Sequence, residues 1–311
     1  MSAADRFIYL EDCAVHRFTA MGCPCIVAVT KKDDRLALTG EEEVRRIEAK
    51  YSRFDDVSTL SRLNRQARAA REPVDAETAA LLHYGQACFE HSGGRFDITA
   101  GALTPLWRWD TDRLPTSGQL ALALEGVGFE KLGFDGQSVH YQHPSVALDF
   151  GGIAKEYAVD RVVEQLMAAG VAFGWVNLGG DMRVWGGCLN VGVRAPVKGQ
   201  MTAAATYGLP GAMATSGDYE RCMWVDGVRY SHLIDPTTGW PVREGLASVS
   251  VVADQCMVAG SLATMATLMP EREALEWLSG QGLEYLALSH DGSVAGSVVA
   301  QGDALSLSPT D

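Results

Sequence analysis

Two short segments carry side chains whose types and spacing suit phosphate chemistry. The first is Leu148-Asp149-Phe150-Gly151-Gly152-Ile153-Ala154-Lys155. A glycine pair between a strand and a helix lets a ligand approach the backbone, and the unpaired N–H groups of the helix N-terminus attract a phosphate. Asp149, at the strand end, can accept from a ligand's donors, and Lys155, in the first helical turn, can neutralise a phosphate oxygen. The same spacing also suits a plain tight turn followed by a surface lysine. The segment contains neither Gly-Lys-Ser/Thr nor G-x-G-x-x-G, so it is neither a P-loop nor a dinucleotide fingerprint.

The second segment is Thr215-Ser216-Gly217-Asp218-Tyr219, followed by Tyr230-Ser231-His232-Leu233-Ile234-Asp235-Pro236-Thr237-Thr238-Gly239. Asp-Pro-x-x-Gly builds a turn, and His232 stands just before it on an alternating stretch, so a strand end would hold the imidazole in place. A histidine held this way can serve as general base on a hydroxyl nucleophile near neutral pH, or can be a structural histidine satisfied by its neighbours. A third segment, Ala259-Gly260-Ser261-Leu262-Ala263-Thr264, is rich in small residues and reads as close helix packing; alone it implies no metal.

The elements that must position these residues follow from periodicity. His16 to Thr30 alternates as a strand, and a helix starts near Thr39 and ends about Tyr51. Ser52 to Asn64 has loop chemistry, Ala76 to His91 is helical, and Ser92-Gly93-Gly94 ends that helix. Arg95 opens a short apolar strand that passes into an irregular stretch by Trp109. Val146 to Phe150 reads as a strand, Ala154 to Ala169 as a helix and Phe173 to Leu178 as a strand ending at Gly179-Gly180-Asp181. Several short strands reach Tyr230, and a last helix spans Cys256 to Leu268 and stops before Pro270. Helices interspersed with antiparallel-looking strands point to an α+β mixed fold, its antiparallel-rich sheets flanked by helices.

Bulk composition narrows the function classes. The 311 residues are 47% hydrophobic and 21% charged, which excludes a disordered or collagen-like chain. A net charge of −13 repels phosphate backbones, so no nucleic acid is expected as partner. No run approaches the ~18 apolar residues of a membrane helix, and Met1 to Glu11 lacks a signal-peptide core, so no membrane insertion and a cytoplasmic location are expected. Seven scattered cysteines without a C-x-x-C pair read as free thiols, with Cys23-Pro24-Cys25 the one candidate for redox or soft-metal chemistry.

Eight collinear motifs carry a resemblance to a known family: Ala20-Met21-Gly22, Ser58 to Asn64, Arg95 to Gly101 with Leu106-Trp107, Asp149 to Tyr157, Val176 to Asp181, Thr215 to Tyr219, His232 to Gly239, and Ala263-Thr264. Together they resemble the ApbE family, the FAD:protein FMN transferases. The resemblance implies an ApbE-like transferase domain over residues 15–305 behind an N-terminal segment 1–14. It implies FAD as substrate, Mg²⁺ as the ion that assists cleavage of its pyrophosphate, a target flavoprotein whose Thr or Ser hydroxyl receives FMN, and AMP as by-product. By the same resemblance Met21, Phe54, Arg95, Phe96, Asp97, Asp149, Lys155 and Ile234 contact FAD. The Gly152 carbonyl and the Thr264 hydroxyl are metal ligands, and His232 is the base.

One departure stands out. The family pattern Ala-Asp-x-x-x-Thr puts a charged metal ligand where this chain has Gly260. A hard cation prefers carboxylate oxygen. The glycine therefore implies an engineered change, a weakened enzyme, a flavin binder without catalysis, or another acid such as Asp218 or Asp254 in the vacant role. Hydrolysis of FAD to FMN and AMP is the other enzymatic outcome the same site allows. A second departure is at Cys13, whose preceding Tyr9-Leu10-Glu11-Asp12 is no lipobox, although many relatives are exported lipoproteins.

Overall fold

The computed structural model describes residues 10–109, 111, 113–193, 204–218 and 222–298. Tyr219 of the second motif, residues 1–9 of the N-terminal segment and residues 299–305 lie outside that range. Strands are β1 Cys13–Ala20, β2 Cys23–Thr30, β3 Glu72–Pro73, β4 Leu132–Phe134, β5 Ser138–Tyr141, β6 Gly174–Leu178, β7 Asp181–Trp185, β8 Leu189–Val193, β9 Ala204–Leu209, β10 Ala212–Gly217, β11 Cys222–Val225, β12 Val228–Ser231, β13 Ser248–Ala253, β14 Tyr285–Leu288 and β15 Val294–Gly296. Helices are α1 Leu36–Tyr51, α2 Thr59–Gln66, α3 Ala76–His91, α4 Ser117–Leu124, α5 Ala154–Ala168, α6 Cys256–Thr267 and α7 Glu271–Ser279.

An eight-stranded antiparallel sheet in the order β1-β2-β6-β7-β10-β13-β14-β15 is the frame. Alternation along its strands sorts side chains to two faces. Cys25, Val27 and Val29 of β2, Val176 and Leu178 of β6, and Ala212 and Ala214 of β10 join the large core beneath α1, α5 and α6. Ala28, Trp175 and Met213 point to the opposite face, where they meet Val193 and Leu209 of the β8–β9 ribbon. Helix α5 buries Ala158, Val159, Val162, Val163 and Leu166, the stripe expected of a helix with one face on a sheet. No helix among the described residues is long and apolar enough to cross a membrane.

The α+β architecture agrees with the sequence reading, and several elements differ. The stretch His16 to Thr30 lies in a hairpin, because Met21-Gly22 turns between β1 and β2. Ser52 to Asn64 is not all loop: Ser58 Oγ accepts from Ser61 N at 3.0 Å and caps α2. Arg95 to Ile98 forms turns without a ladder. Val146 to Phe150 is buried and extended, yet it makes only the isolated bridge Ala100–Ala147, so burial and not sheet pairing explains its apolar run. Helix α6 is not the last helix; α7 follows Pro270.

The contact between α5 and α6 depends on one carboxylate. The first residues of α6 have no cap of their own, and Asp160 of α5 supplies it, with Oδ1 accepting from Cys256 N and Oδ2 from Met257 N, each at 2.9 Å. Arg183 Nη1 donates to Asp160 Oδ1 at 2.8 Å. Asp160 is only 5% exposed, so Asp160→Ala strands two N–H groups and a guanidinium together. The expected loss is about 3–5 kcal/mol, the cost of removing one partner from a buried ion pair. Urea unfolding of the variant measures it, and a loss under ~1 kcal/mol would show that the cap does not join the helices.

Candidate active site

Two tight turns and one helix start meet at one end of the large sheet. Met21 (φ 51°) and Gly22 (φ 70°) are both left-handed, the conformation of a two-residue hairpin turn. A non-glycine residue pays to adopt it, and such positions recur where a ligand is gripped. Met21 N donates to Glu48 Oε1 at 2.5 Å, which anchors the turn to α1. The turn at Gly179-Gly180 lies alongside, with Gly179 N donating to Pro24 O at 2.9 Å. Lys155 reaches in from α5: its Nζ lies 2.5 Å from Asp181 Oδ2, just after the second turn. Burial works against the Lys155 ammonium, but the Asp181 and Glu156 carboxyls together more than offset it and raise the amine above its ordinary pKa.

Asp149 sits at the mouth of this arrangement. Its Oδ1 accepts from Gly151 N at 2.8 Å, shaping the glycine turn, while Oδ2 takes Arg53 Nη1 at 2.6 Å and Thr104 Oγ1 at 3.2 Å. The Ile153 position before α5 offers no side-chain cap, so apart from Ala154 N, which donates to Phe150 O, the first turn is placed to present N–H groups to an anion. Arg53 also stacks over Phe54, its guanidinium 4.6 Å from the ring centre. Phe54 is 84% exposed, an aromatic face held in water beside a carboxylate and a helix start. Phe96 packs under the glycine turn: a Cβ on Gly152 would lie 3.1 Å from its ring.

Arg95 and Asp97 differ in setting. Arg95 forms a two-pronged ion pair with Glu273, both contacts at 3.0 Å, and also lines a cleft of about 730 Å³. Asp97 is buried under two bonds from Thr99, N at 2.8 Å and Oγ1 at 2.7 Å; burial raises its pKa in spite of them. The far wall of the cleft is the turn Asp235, Thr237 and Thr238 with Trp240. Trp107 pins that turn by donating from Nε1 to Gly239 O at 2.9 Å. Half-buried His232 follows β12 directly, and Ile234, also half-buried, bridges Pro241. Thus Met21, Phe96, Asp149, Gly152 and Lys155 gather at the sheet end, whereas Arg95 lines the neighbouring cleft, and His232 and Ile234 lie on the chain between its lining residues Tyr230 and Asp235. Phe96, next to Arg95 and packed on Gly152, joins the two.

No cluster of three or more His, Cys, Asp or Glu fit to hold a metal occurs among the described residues. The seven cysteines are free thiols, and Cys23 and Cys25 Sγ atoms are 4.0 Å apart. A hard cation could still use carbonyl, hydroxyl and a single carboxylate, since Mg²⁺ keeps waters and substrate phosphates in its shell. Thr264 stands one helical turn beyond Gly260 on α6. Glu156, on α5 beside Lys155, is 7% exposed and its Oε2 has no hydrogen-bond partner, an observation that fits a cation bound by oxygens. The acids anticipated as substitutes do not fit: Asp254 is exposed, and Asp218 is held by Arg229 at 2.8 and 3.0 Å.

Sequence reasoning missed Arg53, Thr104, Glu156 and Asp181. Arg53 and Glu156 adjoin residues it did single out, and Asp181 ends the Val176 to Asp181 motif, so the signal was neighbourhood. Thr104 left none.

A family model described as the ApbE family matches residues 21–287. The chain is 32% identical over 231 residues to an FAD:protein FMN transferase of Vibrio cholerae, an alignment covering 70% of this chain and 68% of the relative. It is 31% identical over 247 residues to one from Haemophilus influenzae, covering 74% and 71%. Among solved structures, an ApbE protein from Thermotoga maritima superposes with a TM-score of 0.84 at 31% identity, over 92% of this chain and 97% of that one.

Proposed function

The chain belongs to the ApbE family, and on that premise we propose how its residues divide the work of an FAD:protein FMN transferase. FAD is the substrate and a target flavoprotein the acceptor. We assign residues 15–305 to one transferase unit and take the acceptor atom to be a Thr or Ser hydroxyl oxygen. That oxygen bonds to the phosphorus on the FMN side, the P–O bond to the adenylate breaks, and AMP leaves carrying the electron pair. The observation that carries this reading is the glycine turn that Asp149 shapes ahead of α5, with Lys155 on the first turn of that helix and the exposed ring of Phe54 stacked on the Arg53 that pairs with Asp149.

In this scheme Lys155 and the first turn of α5 face the diphosphate, and phosphoryl transfer gains mainly from such positioning and charge neutralisation. Asp149, ordered by Arg53 and Thr104, accepts from the donors of the bound nucleotide. Met21 and Phe54 lie against its rings; Arg95, Phe96, Asp97 and Ile234 line its path. His232 takes the proton of the acceptor hydroxyl as the new bond forms. The Gly152 carbonyl and the Thr264 hydroxyl would hold Mg²⁺, which when bound neutralises charge at the diphosphate.

Incubation with FAD, Mg²⁺ and a family acceptor protein tests the reading. The expected product is an acceptor that fluoresces in a denaturing gel and is heavier by one FMN, with one AMP per label. Free FMN and AMP without a labelled acceptor would instead make the enzyme a hydrolase. Intact FAD after hours at saturating Mg²⁺ would reject both.

A further inference from the structure

Gly260 and Glu156 occupy one another's space. A Cβ at position 260 would lie 2.6 Å from Glu156 Cγ, 2.9 Å from Oε1 and 3.0 Å from Cδ, far inside contact distance. The Glu156 carboxyl therefore sits where the first atoms of a residue-260 side chain would be. It reaches that place from the facing helix, α5, and it reaches it only because residue 260 has no side chain.

The carboxyl is also buried beside a second acid, Asp181. Glu156 is 7% exposed and its Oε2 makes no hydrogen bond. The nearby ammonium, Lys155, is 2.5 Å from Asp181 and is shared between the two acids. Two buried acids that share one ammonium are short of positive charge, and proteins that retain such a pair give it a further partner. The partner that suits buried carboxyl oxygens is a small, hard, oxygen-seeking dication.

We propose that Glu156 is the carboxylate ligand of a divalent cation held between α5 and α6, supplying from α5 the charge that Gly260 cannot supply from α6. The assignment rests on the transferase reading for the other ligands, Gly152 and Thr264, and for the diphosphate as the ion's target. It replaces the alternatives in which Asp218 or Asp254 serves, or the cation site is lost.

The test is direct binding of Mn²⁺ to the full chain, read by the electron paramagnetic resonance of the free ion, with Mg²⁺ as competitor and no flavin present. The native chain should bind one Mn²⁺ that Mg²⁺ displaces. Glu156→Gln, which keeps the shape and drops the charge, should weaken binding at least tenfold. Gly260→Asp alone should lower the melting temperature through its collision with Glu156. Glu156→Ala combined with Gly260→Asp should return affinity to within about threefold of native, a coupling that separate sites would not show. Equal affinity in native and Glu156→Gln proteins, or no Mn²⁺ bound by the native chain, overturns the proposal. Failure of the transferase reading is a separate result: the Mn²⁺ pattern would hold while no acceptor became fluorescent.

Discussion

Replacing His232 by alanine is expected to slow FMN transfer by roughly 10²–10⁴-fold, the contribution of a positioned general base, while FAD affinity changes less than about tenfold. His232 lies between buried residues: Ser231 ends β12, in register with Cys222 of β11, and Leu233 O accepts from Val242 N before the pinned 235–239 turn. Tyr230, two residues earlier, packs with Trp107 and Trp240, so the backbone on both sides of the imidazole is anchored by side chains other than its own. The measurement pairs single-turnover labelling of the acceptor at saturating FAD with calorimetric FAD binding. Added imidazole should recover part of the lost rate in the variant. A variant that labels its acceptor within threefold of the native rate would remove His232 from the proton transfer.

The second large effect is expected at Lys155. Lys155→Met leaves Asp181, whose side chain is 3% exposed, without its ion-pair partner and also removes a positive charge that acts on Glu156. Losing one member of a buried pair costs about 3–5 kcal/mol, a large part of a typical domain's stability. Urea unfolding should show that loss. Asp181→Asn added to Lys155→Met should recover much of it, because the stranded charge is gone. FAD affinity should not recover with it, since the double variant still offers no cation to the diphosphate. Full recovery of both quantities would mean that Lys155 acts only through Asp181 and never faces the ligand.

Much of the site's frame was legible in the chain itself. The helix Ala76–His91 has the same bounds in sequence and structure, and the α5 start at Ala154 follows the glycine pair as the local chemistry dictates. What periodicity misread was extended chain that is buried without being paired. Val146, Leu148 and Phe150 alternate like a strand because they face the core, yet Leu148 N and O bond to the Asn64 side chain instead of to a neighbouring strand. The hairpin turn went unseen because a left-handed methionine is rare as a turn residue. Helix α4 was hidden by its length, although Thr116 and Gln119 form a reciprocal cap at its start. The Gly260 departure was plain in sequence, but its relation to Glu156 was not. Helix-to-helix register exists only after packing, and no spacing along the chain encodes it.

The order of the large sheet also sets when that end of the molecule can come together during synthesis. Strand β2 has β1 as a hairpin neighbour at once, but its other edge waits for β6, with Cys25 opposite Leu178, and β13 in turn waits for β14. Pairings between such distant parts of a chain are slow to form because closing the intervening loop must precede any gain from the contact. A nascent chain that has emerged only as far as α3 therefore displays Cys25, Val27 and Val29 without the sheet partner and the α5 face that later enclose them. Until the middle third has left the ribosome, that apolar stretch is open to association with its own copies.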